Sequence, residues 1–362
     1  MIVEPATGKS GFKTFQKVSH AVYKGNPFFR GTEASIEKML ILGPTHFHAH
    51  ATVLPCVVSD RKDYVARFAL IYDQYLPDYV QVAFFEAMPG LKDVLQIIRN
   101  TIKSHFPSVK KMVVGLNGHL NYGAGFLLNH FNEPPLFGLP YSQPYYPAYF
   151  EELLERKMVS FRFPMEEYAA WANAYQAKRS MPGLTVRFMN KKDIRKESAI
   201  YTLLNNKAFI HHPYWAERAD AEDLELFSPF RFFLENENLV IAEYEGKPVG
   251  FYLWYPDFNQ LIHSQRDFNA YDVLHYKLNN PIDTIRFTEI GIIPEFHRSP
   301  VALAMIEKAL PAILKGGYRF CEGGFIFEEN KNSIAFVSRI LTRSMGQKPE
   351  PYREYAVYEG TL

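Results

Sequence analysis

Residues 292–310 read IIPEFHRSPVALAMIEKAL. Two branched apolar residues end a strand, a short polar turn carries one arginine, and an apolar-periodic helix follows. Ser299 stands where an N-cap is expected, with Pro300 at the first helical position. A helix start leaves N–H groups unpaired at the positive end of its dipole, which suits an anion. Arg298 beside it adds a charge-assisted donor for phosphate. The same strand–turn–helix also serves as a plain, well-capped connection, so its surroundings decide.

Working outward, TIRFTEIGII before the turn is a strand, and NLVIAEYEGKPVGFYLWYP before that is a hairpin around Glu245-Gly246. Further upstream, LTVRFMN is a strand and KKDIRKESAIYTLLNNKAF a helix. The loop IHHPYWAERAD then leads to a helical stretch ending near residue 234. Downstream come a strand at YRFCEGGFIF, a helix at NSIAFVSRILTRSM and a strand at YREYAVYEG. The first half repeats this order. Residues 12–24 and 33–41 are helical, and ATVLPCVVSD, YVARFALIYD and YVQVAFFEA are consecutive antiparallel strands. LKDVLQIIRNTIKSHF has apolar residues at 91, 94, 95, 97, 98 and 102, a helical period, and KKMVVGLNGHL is again a strand. EEYAAWANAYQAKRSMPG is helical until Met181-Pro182-Gly183, which puts a boundary near residue 180 and domains at 1–180 and 181–362. The class is α+β.

Composition agrees with two cores. The 362 residues exceed what one core usually supports, and 47% are hydrophobic. With 40 basic against 39 acidic residues the net charge is +1, so nucleic acid and anionic membrane are not expected partners. Two cysteines, Cys56 and Cys321, argue against a disulfide scaffold and for a reducing compartment. MIVEPATGKSGFKTF lacks the apolar core of a signal peptide, and no apolar run approaches twenty residues. A soluble cytoplasmic protein is expected, its oligomeric state open and a dimer one option.

Strand, two helices, a hairpin with a third strand, the turn and helix, then strand–helix–strand resembles the GNAT (GCN5-related N-acetyltransferase) order. In that superfamily the loop reads P-x-[YF]-[RQ]-x-x-G-x-[GA]. Pro294, Glu295, Phe296, His297, Arg298, Ser299, Pro300, Val301 and Ala302 fall on it in register. HAVYKGNPFF, VQVAFFEAMPG, VVGLNGHLNYGAGFLLNHF and SQPYYPAYFEELLE resemble the first half of an uncharacterised family of tandem GNAT-like proteins. KPVGFYLWYPDFNQ, GGFIFEENKNS and YREYAVYE resemble its second. The resemblance covers most of both halves. It implies two tandem GNAT-like domains, each a mixed, mostly antiparallel sheet flanked by helices.

It also implies acetyl-CoA, or another acyl-CoA, as cosubstrate in the second half, with direct transfer to a small-molecule amine or peptide acceptor. On this reading Ile292, Ile293, His297, Arg298, Ser299, Val301, Ala302 and Leu303 bind the cofactor. Asn330 and Asn332 join them, since the N-x-x-A pattern from Asn332 to Ala335 lies near the pantetheine arm. Two positions depart: His297 replaces Arg or Gln, and Pro300 replaces glycine and removes one N–H donor. In the first half FFEAMPGLKDVL has no arginine and no second glycine, so that domain keeps the fold without the cofactor loop.

Acyl transfer needs the acceptor ammonium deprotonated, and Glu289, five residues before Pro294, has the spacing of the base in GNAT enzymes. Alternation puts Glu289, Gly291 and Ile293 on one strand face; an ordinary ion-paired strand carboxylate is the other reading. Where many relatives carry a tyrosine acid for the leaving thiolate, this chain has Arg339. Tyr355, or else Tyr352 or solvent, is then expected to supply the proton. His211, His212 and Tyr214, with Trp215, occupy the loop that lines the acceptor side in GNAT folds. His46, His48 and His50 alternate as a strand's one face would, but no carboxylate or cysteine adjoins them in sequence, and no metal is expected. The glycine-rich GLNGHLNYGAGF segment either makes tight turns or brings backbone close to a partner. A non-catalytic ligand-binding protein and an aminoacyltransferase using charged tRNA remain alternatives; the near-neutral charge argues against the latter.

Overall fold

The protein is described by a computed structural model covering residues 1–31, 34–174, 181–263, 265–266 and 268–362. The first half contains β1 (Ile2–Pro5), α1 (Gly8–Val22), α2 (Ala34–Leu42), β2 (Ala51–Asp60), β3 (Asp63–Asp73), β4 (Tyr79–Ala87) and α3 (Val94–His105). β5 (Lys111–Val114), β6 (Phe126–Leu127), β7 (Leu154–Pro164) and α4 (Met165–Ala174) follow. The second half contains β8 (Leu184–Phe188), α5 (Ile194–Phe209), α6 (Asp220–Phe227), β9 (Leu239–Tyr244), β10 (Lys247–Pro256) and α7 (Ala270–Asn279). It ends with β11 (Thr284–Ile292), α8 (Val301–Lys315), β12 (Phe320–Phe327), α9 (Lys331–Met345) and β13 (Glu354–Thr361). The expected boundary near residue 180 lies outside the described residues.

The elements form for the reasons the patterns suggest. β4 is buried along its whole length, as an apolar run flanked by strands on both sides requires. α3 buries Val94, Leu95, Ile98, Thr101 and Ile102, one stripe at helical spacing. Helix α8 starts one residue later than expected, at Val301, with Pro300 at the cap position. Its cap survives in altered form, because the Val301 N–H donates to Ser299 Oγ at 3.3 Å. The α9 cap is Asn330, whose Oδ1 accepts from Ser333 N, so Asn332 falls inside the helix. No helix among the described residues is long and apolar enough to cross a membrane.

The thirteen strands among the described residues join one sheet, in the order β1-β2-β3-β4-β5-β13-β7-β12-β11-β10-β9-β8, with β6 beside β13. Every pairing is antiparallel except β4–β5 and β11–β12. At the centre the halves trade strands. β7 pairs with β12 of the second half, and β13 pairs with β5 of the first. Through the exchange β5 and β12 each have a neighbour on both sides. Around this seam Tyr23, Tyr79, Tyr141, Tyr214, Phe327 and Tyr355 pack into one aromatic cluster.

The two parallel pairings are short. Tyr79–Val82 ladders with Lys111–Val114, and Thr284–Phe287 with Phe320–Gly323; beyond these the partner strands part. Each half thus has a V-shaped opening at the carboxyl end of its parallel pair, a usual place for ligands in such sheets.

Candidate active site

In the second half the opening is set by a bulge. The register between β10 and β11 slips so that Leu253 faces Glu289 and Trp254 faces Phe287, leaving Thr288 unopposed. Glu289 follows the bulge, half-buried, with the Tyr201 hydroxyl 3.1 and 3.2 Å from its two carboxylate oxygens. Burial raises the Glu289 pKa to about 7, against the opposing pull of the Tyr201 hydrogen bond. A carboxylate poised there can accept a proton near neutral pH. Gly291, two residues on, has no side chain because a Cβ would stand 2.3 Å from the Phe251 ring, which itself packs on Tyr201.

The turn after β11 is tightly wound. Pro294–Phe296 forms one 3-10 turn, Ile293 N donates to Val249 O, and Ser299 N donates to Phe296 O. Arg298 takes a left-handed backbone conformation, φ 65°, and its side chain is exposed without an ion pair among the described residues. His297, where the loop pattern has Arg or Gln, turns toward its own strand. Its Nε2 lies 3.1 Å from Ile292 O, so the ring folds back on the strand end. At the helix start Pro300 lacks an N–H and that of Val301 is taken by Ser299, whereas Ala302 and Leu303 have no preceding turn to bond to. The Ala302 and Leu303 amides at the start of α8 thus follow closely on the exposed Arg298.

The other expected residues are dispersed. Asn330 caps α9, and Asn332 is exposed on its first turn. His211 is exposed. His212 packs edge-on to Phe327 and accepts from Tyr214 N, and burial lowers its pKa to about 4, so it is neutral. Tyr214 is not part of an open acceptor wall: it is buried, and its hydroxyl donates to Glu359 of β13. Tyr355 likewise sits fully enclosed beside Phe325 and makes no hydrogen bond to Glu289. The strand exchange explains both, since it places β13 in the seam rather than on the rim of the opening. Tyr352 donates to Glu133 Oε2 at 2.6 Å, and Arg339 is exposed on α9.

His46, His48 and His50 lie on or just after a 3-10 turn, not on a strand face. His50 alone enters the interior, 2.8 Å from Asp73 and 3.5 Å from Glu222. No metal-holding group of His, Cys, Asp and Glu occurs among the described residues.

The first-half opening is filled by its own chain. Gln81 on β4 grips Gly118 from both sides, accepting its N–H at 2.7 Å and donating to its carbonyl at 3.0 Å. Asn117 Oδ1 accepts from Phe84 N. At the turn after β4, three tyrosines of the 142–149 segment cover the backbone. Tyr149 Oη accepts from Leu91 N and donates to Met88 O, Tyr146 Oη accepts from Ala87 N, and Tyr145 Oη donates to Ala87 O. Hydroxyls thus occupy the Ala87 and Leu91 amides flanking this turn.

Sequence reasoning missed Tyr201 and Asn121. The glycine density of residues 115–125 marked the loop but not its target in the other half.

Comparison with known proteins agrees with this architecture. The chain matches no family model. Protein YghO of Escherichia coli (strain K12) is 22% identical over 256 residues, which span 67% of this chain and 63% of that protein. The tandem GNAT protein from the clavulanic acid biosynthesis pathway superposes with TM-score 0.56 at 12% identity, over 99% of this chain and 98% of its own. The GCN5-related glucosamine N-acetyltransferase region of a fungal multi-domain GH3 β-N-acetylglucosaminidase gives TM-score 0.56 at 9% identity, over 99% and 38%. A protein of unknown function from Enterococcus faecalis V583, described as a "Probable N-Acyltransferase", gives 0.52 at 10% identity, over 100% and 72%. In fold, this chain is a tandem GNAT-like protein.

Proposed function

We propose that the second half is an N-acyltransferase that moves an acyl group from acyl-CoA, acetyl-CoA first among them, to a primary amine. The observation that carries the reading is Glu289 itself. It stands at the mouth of parted strands, its proton affinity is raised toward neutrality, and an anion-ready helix start follows within a dozen residues. Arg298 and the amides of Ala302 and Leu303 would hold the pyrophosphate. When bound, the acyl-CoA supplies a thioester carbon for the amine to attack, forming the amide and releasing the thiol. Glu289 takes the proton that the ammonium must lose. The likeness to acetyltransferase folds supports the same class. With Tyr355 enclosed, the thiolate takes its proton from solvent.

Calorimetry with acetyl-CoA tests this. Low-micromolar binding that weakens at least tenfold in Arg298→Ala is expected; no heat at millimolar ligand would sink the reading. A second reading, a non-catalytic ligand-binding protein, is favoured by Pro300 and by the Ser299–Val301 bond, which withdraw two amides from the pyrophosphate position. Binding without turnover of any amine panel would select it.

A further inference from the structure

We infer that Asn121, carried by the first half, is a positioning residue for Glu289 in the second half and acts through Tyr201. The inference builds on the reading of Glu289 as the base. Asn121 sits on the loop between β5 and β6, which closes on itself through Gly125 N to Gly115 O at 2.6 Å. Gly115, Gly118, Gly123 and Gly125 all take φ between 89° and 114°, a region closed to most side chains. Gln81 and Asn117 pin the loop base into the first half's own opening. Its tip is thereby pushed toward α5 and the 210–219 loop of the other half.

His119 locks the crossing. It is buried, and burial together with the Arg218 charge keeps it neutral. Its Nε2 lies 3.1 Å from the Ala216 carbonyl, which can only accept, so Nε2 carries the hydrogen. Nδ1 is then bare and accepts the Asn121 N–H at 3.1 Å. The Trp215 ring packs edge-on at 4.5 Å. Held this way, Asn121 Nδ2 donates to Tyr201 Oη at 3.3 Å. With an amide donor on its oxygen, the phenol turns its own hydrogen to the Glu289 carboxylate. The other charged groups near Glu289 are Asp223 on α6, Arg218 before it and Arg286 on β11; none hydrogen-bonds to Asn121 itself, and Arg218 is held by Asp223 and by the Tyr122 hydroxyl.

The test reads Glu289 directly in the full-length protein labelled with 13Cδ glutamate, its NMR signal identified by its loss in Glu289→Gln. Titration should give a midpoint near 7 in the wild type. One hydrogen bond to the charged form is expected to be worth about half a unit to one unit. Tyr201→Phe, which keeps the ring in place, should move the midpoint up by that amount, and Asn121→Ala should move it in the same direction. A midpoint that moves in Tyr201→Phe but stays fixed in Asn121→Ala overturns the first half's part. So does a lowered melting temperature in Asn121→Ala with an unmoved midpoint, which marks a packing role only. Acetyl-CoA calorimetry on the same samples separates the two readings: both shifts without acetyl-CoA binding support the coupling and defeat only the transferase.

Discussion

Arg353 Nη1 lies 2.7 Å from Glu322 Oε2, and both side chains are buried where the halves trade strands. Ser160 of β7 joins them, donating to Glu322 Oε1 at 2.8 Å and accepting from Arg353 N at 3.1 Å. One buried ion pair therefore ties β7, β12 and the start of β13. Arg353→Met should cost about 3–5 kcal/mol in urea unfolding, because it leaves a buried carboxylate uncompensated. Adding Glu322→Leu should recover most of that loss.

A second buried charge cluster bridges the halves. His50 and Asp73 come from the first half; Glu222, Arg218 and Asp223 from the second. Burial alone would lower the His50 pKa, but the Asp73 hydrogen bond and Glu222 outweigh it and raise the value to about 9. A raised folded-state pKa stabilises fully below about 6.5, and the contribution fades as pH rises through 9. The stability advantage of wild type over His50→Gln should therefore shrink between pH 6.5 and 9, as measured by urea unfolding at each pH. A constant difference would contradict the charged state of His50.

The proposed pyrophosphate surface offers a test of opposite sign. Ser299→Ala removes the acceptor now holding the Val301 N–H and frees that amide. Acetyl-CoA affinity should rise a few-fold in calorimetry, while stability falls by about 0.5–1 kcal/mol from the weakened cap. A fall in affinity would mean that the hydroxyl itself serves the ligand.

In the first half, Tyr149→Phe leaves Leu91 N and Met88 O without their partner. Thermal or urea unfolding should show a loss of about 1 kcal/mol, with acetyl-CoA binding unchanged.

For Glu289 the expected pH profile follows from its raised pKa. Transfer from acetyl-CoA to an amine should climb through about pH 7 as the carboxylate forms. Glu289→Gln should lose roughly 10²–10⁴-fold in rate with little change in acetyl-CoA affinity.

Much of this was legible in the residues. Short apolar runs rich in β-branched and aromatic residues revealed β2, β3 and β4, the helical period revealed α3, and the Pro294–Ala302 register located the turn that the fold places beside Glu289. Non-local pairing was not legible. β7, LERKMVSFRFP, mixes charged and apolar residues, and its neighbours, β12 and β13, lie far away in sequence, so nothing local announces it. For the same reason Tyr355 and Tyr214 read as site residues from their positions in a single half. Only the exchanged strand shows them as seam residues. Asn121 was hidden likewise, since its partner, Tyr201, belongs to the other half.

The traded strands bear on how the molecule comes into being. Val114 waits for Tyr358 before its sheet neighbour exists, so the first half cannot finish its central ladder while the second is still being synthesised. A chain severed between the halves would yield two fragments, each lacking an inner strand and each offering a bare edge to any passing polypeptide. The pair should thus behave as one cooperative unit, and loss of either part should bring aggregation rather than a surviving folded half.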